Sequence, residues 1–92
     1  MPAWQVSISQ QINSPGTYGV TATGVTLTLP VWGGWWSGGS WKVKDLTGNA
    51  NPNITIVATG GTIDGQASVT ITQPYESLTL DPFMSGNTWT IS

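Results

Sequence analysis

The chain has 92 residues, and only 7% of them are Asp, Glu, Lys or Arg, against roughly a quarter in an average soluble domain. Its net charge is −2, its cations are Lys42 and Lys44, and it contains neither Cys nor His. Disulfides are thereby excluded, zinc, copper and haem lose their usual donors, and a nucleic-acid backbone would meet too few cations to be neutralised.

Period-two alternation of apolar and small polar residues runs along the chain and predicts strands, each with one apolar face and one Thr-rich face. It begins with Trp4, Val6 and Ile8, set against Ser7 and Ser9 and closed by Gln10 and Gln11. Residues 1–12 read equally as a first strand or as an arm that adds to a neighbour's sheet edge. Val25, Leu27 and Leu29 follow, alternating with Thr26 and Thr28 up to Pro30. A Gly-rich loop with aromatics occupies Gly33 to Ser40, and Trp41 and Val43 then alternate with Lys42 and Lys44. Later runs centre on Ile54, Ile56 and Ala58, on Val69 and Ile71, on Leu78 and Leu80, and on Trp89 and Ile91. Turn chemistry separates them at Ser14-Pro15-Gly16, Gly24, Gly48-Asn49, Asn51-Pro52-Asn53, Gly60-Gly61, Asp64-Gly65 and Ser85-Gly86-Asn87. The expectation is an all-β fold: one small antiparallel β-sandwich or barrel of about seven or eight strands, spanning residues 1–92.

A chain of this size buries only about 60–65% of its unfolded surface, so its margin is thin without disulfides, a metal or a partner subunit. With no cofactor expected, oligomerisation is what remains. The low charge agrees, because charges are what normally keep free strands apart. No stretch approaches the roughly 18 apolar residues of a membrane span, so no membrane partner is expected, and nucleic acid is a poor one.

The sharpest local signal is Trp32-Gly-Gly-Trp35-Trp36-Ser-Gly-Gly-Ser-Trp41. Trp41 shares the parity of Val43 and reads as core. Adjacent Trp35 and Trp36 must point different ways in extended chain, so one of them is exposed. That makes Trp4, Trp32, Trp35 and Trp36 the candidate interface or binding residues, through protein contact, sugar stacking or local packing. Lys42 and Lys44 read either as a solvated strand face or as partners for acidic groups on a neighbour. Asp64 before Gly65 and Asp81 before Pro82 sit in turn settings, and Glu76 beside Tyr75 reads as a hydrogen-bonding or edge feature. Without His, Cys or a facing carboxylate pair, the chain is not expected to be an enzyme.

Six pieces in order carry a resemblance: Val25 to Pro30, Lys44-Asp-Leu-Thr-Gly-Asn49, Ile54-Thr-Ile56, Gly60-Gly-Thr-Ile-Asp-Gly65, Tyr75-Glu-Ser-Leu-Thr-Leu80, and Gly86-Asn-Thr-Trp89. Together, over roughly residues 16–92, they resemble small β-domains of tailed-bacteriophage virion proteins, which occur in tail fibres and on head surfaces. The Trp/Gly loop departs from that pattern. The resemblance implies a structural role in the virion. Because the chain starts at Met1 and stops just after the last strand, the expectation is a stand-alone capsid decoration or cement protein on the head surface. It implies a homotrimer seated on the major capsid protein, with a tail-fibre or receptor-binding tip that contacts host glycans through exposed Trp as the alternative.

Overall fold

In the computed structural model, residues 3–12, 15–29, 40–58, 61–83 and 88–91 are described. They form ten strands and no helix. The strands are β1 (Ala3–Val6), β2 (Gln10–Gln11), β3 (Gly16–Val20), β4 (Thr26–Leu29), β5 (Trp41–Asp45), β6 (Ile54–Ala58), β7 (Thr62–Ile63), β8 (Ser68–Ile71), β9 (Ser77–Phe83) and β10 (Thr88–Ile91). The all-β class follows from the alternation, because β4, β5 and β6 place Leu27, Leu29, Trp41, Val43, Ile54 and Ile56 on inward faces with no exposure at all.

Pairing corrects the antiparallel expectation. One sheet runs β1-β3-β5-β9-β10-β7 and the other β2-β4-β6-β8, and both are mixed. The pairs β1/β3, β3/β5, β2/β4, β4/β6 and β10/β7 are parallel, and only β5/β9, β9/β10 and β6/β8 are antiparallel. From β1 to β6 the chain winds, each strand of one sheet being followed by a strand of the other. Next-but-one strands therefore become parallel neighbours. A parallel pair needs a long crossover, usually a helix; here the crossover is the strand in the opposite sheet.

The windings stack in a regular stagger. The Thr21 amide donates to Val6 O (2.8 Å), and one winding later the Leu46 amide donates to Val20 O (2.8 Å). On the other side Ile12 N–H reaches Thr28 O (2.9 Å) and Thr55 N–H reaches Val25 O (3.0 Å). A single apolar cluster draws on both sheets, from Val6, Tyr18, Val20, Trp41 and Leu80 of one and Leu27, Ile56 and Ile71 of the other. Within it Trp41 and Trp89 meet edge to face, centroids 5.0 Å apart at 85°. That geometry adds about 0.5–1.5 kcal/mol beyond the buried area.

The strand count also exceeds the expected seven or eight. β2 and β7 have two residues each, too few to show a period. β3 begins at Gly16, which read as part of a turn, and carries a second glycine at Gly19. A Cβ added at Gly19 would meet the Leu46 side chain. At the N-terminus the alternation overran the strand: β1 ends at Val6, and Ile8 lies in the connection, 67% exposed. Pro82 is in β9 rather than in a turn. Its strand pairs with β5 only as far as Leu80, so the missing amide interrupts no bond on that side.

Candidate functional site

The Lys44–Asn49 and Tyr75–Leu80 segments, far apart in sequence, meet around one carboxylate. Asp45 closes β5 on the inward parity and is fully buried, the one buried charged residue among those described. Its Oδ1 accepts the Thr47 amide (2.8 Å) and the Thr47 hydroxyl (2.7 Å). Its Oδ2 accepts the Gly48 amide (3.1 Å) and the Tyr75 amide (2.9 Å). Burial alone would push the carboxyl pKa up; the hydrogen bonds from Thr47, Tyr75 and Gly48 outweigh it and hold the pKa below the ordinary value of 3.8.

The surrounding turns depend on this arrangement. Gly48 has φ +67°, and an added Cβ would also run into the Tyr75 ring. Tyr75 itself has φ +58°, and its carbonyl accepts the Lys44 ammonium at 2.7 Å. The same ammonium stands 5.9 Å from the Tyr75 ring centroid. Glu76 Oε1 accepts the amides of Thr72 (3.3 Å) and Gln73 (3.2 Å), and the Asp45 amide donates to Glu76 O (3.0 Å). These residues staple two turns together, and the spent lone pairs of Asp45 leave it no capacity for a ligand.

The other carboxylates are likewise tied to local structure. Asp64, at φ +48° before Gly65, accepts the Ile91 amide at 3.4 Å, and Asp81 accepts the Ser40 hydroxyl at 2.5 Å. Among the described residues no group of three or more His, Cys, Asp or Glu comes together to hold a metal.

Of the tryptophans singled out from sequence, Trp32, Trp35 and Trp36 lie outside the described residues. Trp41 is fully buried, and its indole N–H donates to Ile12 O at 3.0 Å, tying the strand to the residue that follows β2. Trp4 is different. It shares the inward parity of Val6, but β1 is the outer strand of its sheet, so the ring is 41% exposed. It stacks on Tyr18 of the adjacent strand, centroids 4.9 Å apart at 21°. β2 is in turn the outer strand of the other sheet, and between the two edges opens a cavity of about 280 Å³ walled by the Trp4/Tyr18 pair.

The outer faces differ in charge. Lys42, Lys44 and Asp81 all fall on the outward parity of the six-stranded sheet. The four-stranded sheet carries no charged residue in any of its strands. Its outward row pairs Thr26 with Thr55 and Thr55 with Thr70, and the last two hydroxyls lie 3.4 Å apart. Sequence reasoning missed the Trp4/Tyr18 stack and the Asp45 staple. Tyr18 alternates with Val20 and could have been read as strand, whereas no local signal links Asp45 to Tyr75, thirty positions away.

The chain matches no family model and no curated protein.

Proposed function

We propose that this chain is a structural protein of a phage virion, a capsid decoration or cement protein bridging subunits of the major capsid protein as a homotrimer. The observation that carries the reading is the four-stranded sheet, whose strands hold no charge and whose outward row is Thr26, Thr55 and Thr70. A free sheet face of this kind lacks the charges that normally discourage association. Covered by a shell or a sister subunit, it loses nothing, because hydroxyls exchange water for protein partners at little net cost. The two sheets around one core read as a sandwich, with the charged sheet facing solvent and the neutral one facing the shell. The resemblance of the Lys44–Asn49 and Tyr75–Leu80 pieces to virion β-domains supports the same assignment, and both pieces belong to the Asp45 staple that holds the fold.

The test is co-sedimentation of the purified protein with heads that lack it. Attachment should change little up to about 1 M salt, where exposed ion pairs are screened within about 3 Å. Thr55→Lys and Thr70→Lys should each weaken it by at least about tenfold, since a buried unpaired ammonium costs more than the roughly 1.4 kcal/mol this requires. Attachment that is lost in salt, and indifferent to both lysines, would refute the proposal.

A further inference from the structure

We propose that the cavity between the β1 and β2 edges is a binding site for a neutral saccharide ring, with Trp4 as its stacking platform. The lining sorts into three chemistries. Val6 and Ile12 make an apolar floor, the Trp4/Tyr18 stack makes a flat aromatic wall, and Gln5, Gln10 and Gln11, whose side chains carry primary amides, border the cavity. Among the described residues no carboxylate, ammonium or guanidinium lines it. A sugar ring asks for this combination: its C–H faces carry slight positive charge and meet the negative face of an indole, while its hydroxyls both donate and accept, as primary amides do.

The glutamine amides are largely uncommitted. Among the described residues Gln10 Nε2 makes only a long bond to Ile8 O, at 3.5 Å. The side chains of Gln5 and Gln11 make no hydrogen bond with the described residues, and all three glutamines are exposed. At about 280 Å³ the cavity lies just under the roughly 300 Å³ at which pockets for larger ligands begin, so one ring fits and an extended ligand would overhang. An anionic sugar would bring a charge that none of the described lining residues neutralises. The site is independent of the virion assignment, because a saccharide could be held by a shell-bound protein or by a fibre tip alike.

The experiment is a ¹H–¹⁵N titration of the whole protein with the methyl glycosides of glucose, galactose, mannose and N-acetylglucosamine, and with glucuronate as the charged comparator. At least one neutral glycoside should give saturable shifts at the Trp4 indole N–H and the Gln11 amide, with Kd on the order of 1–10 mM for a single ring. Glucuronate should bind more weakly. Trp4→Ala should weaken binding by at least about tenfold and Trp4→Phe should keep most of it, while Gln11→Ala, at an exposed position, should cost about threefold to tenfold. The Trp89 indole signal, from the core, reports whether each variant stays folded. Saturable shifts for none of the four glycosides would overturn the proposal, as would binding that survives unchanged in folded Trp4→Ala and Gln11→Ala. A Trp4 indole shielded by self-association at working concentration would overturn it too. Head attachment, read separately by sedimentation, is tested at Thr55 and Thr70, which do not line the cavity, so the two proposals are read at different residues.

Discussion

Removing the Asp45 carboxylate tests the reasoning most severely, because one side chain there satisfies four donors in two distant turns. Asp45→Asn retains Oδ1, and with it the bonds from the Thr47 amide and hydroxyl. It places an amide nitrogen where Oδ2 had accepted Gly48 and Tyr75, so donor faces donor at 3.1 and 2.9 Å. Hydrogen bonds to a charged acceptor contribute about 1.5–3 kcal/mol each, and an orphaned buried donor costs about 1–3. Water reaches the half-buried Thr47 and Gly48 and returns part of this, which leaves a loss of about 2–4 kcal/mol for Asp45→Asn. Asp45→Ala orphans all four donors and should cost about 3–5 kcal/mol. A domain of this length has roughly 5–14 kcal/mol in total, so the effect is readily measured by urea unfolding at fixed protein concentration.

The pH dependence gives an independent check. The folded pKa lies below the ordinary 3.8, so the unfolded chain takes up this proton first as the solution is acidified. The Asp45 contribution is complete above the unfolded value and is lost as pH falls through the folded one. The wild-type urea midpoint should therefore drop as pH falls below about 4, and Asp45→Asn should lack that component. An Asp45→Asn protein within about 0.5 kcal/mol of wild type at neutral pH, with the same acid slope, would refute the account of the staple.

Two further outcomes follow from local geometry. Gly48→Ala combines a left-handed backbone at φ +67° with the Tyr75 ring in the Cβ position, and should cost about 2–4 kcal/mol; Gly24→Ala, at φ +73° with open space around it, should cost only about 1. Urea midpoints decide it, and equal losses would show that the ring contact is unimportant. Trp41→Phe keeps most of the core volume but strands the Ile12 carbonyl, for a loss of about 1–3 kcal/mol, whereas Trp41→Ala should cost about 3–5. Thermal unfolding ranks the pair, and a Phe variant as unstable as Ala would point to packing alone.

Much of this protein's local structure was legible from alternation. Val25, Leu27 and Leu29, then Trp41 and Val43, then Ile54, Ile56 and Ala58 are buried where the period puts them. Turn chemistry was equally direct at Gly24, Gly48, Asn53 and Asp64-Gly65, all of which take positive φ. Trp41 was readable as core by parity with Val43. Trp4 had the same parity with Val6, yet it is half exposed, since parity says which face a side chain takes and not whether another strand lies beyond it.

What the amino-acid order determined by itself was therefore one-dimensional: which stretches extend, where they turn and which side of each is apolar. Neighbour choice belonged to the tertiary structure, because a half-buried strand has the same period whether its partner runs parallel or antiparallel. The winding between sheets, the meeting of Asp45 with Tyr75 and the open edge beside Trp4 all arise from contacts between residues distant in sequence. No local pattern encodes such contacts, and their energies exist only once both partners have been brought together.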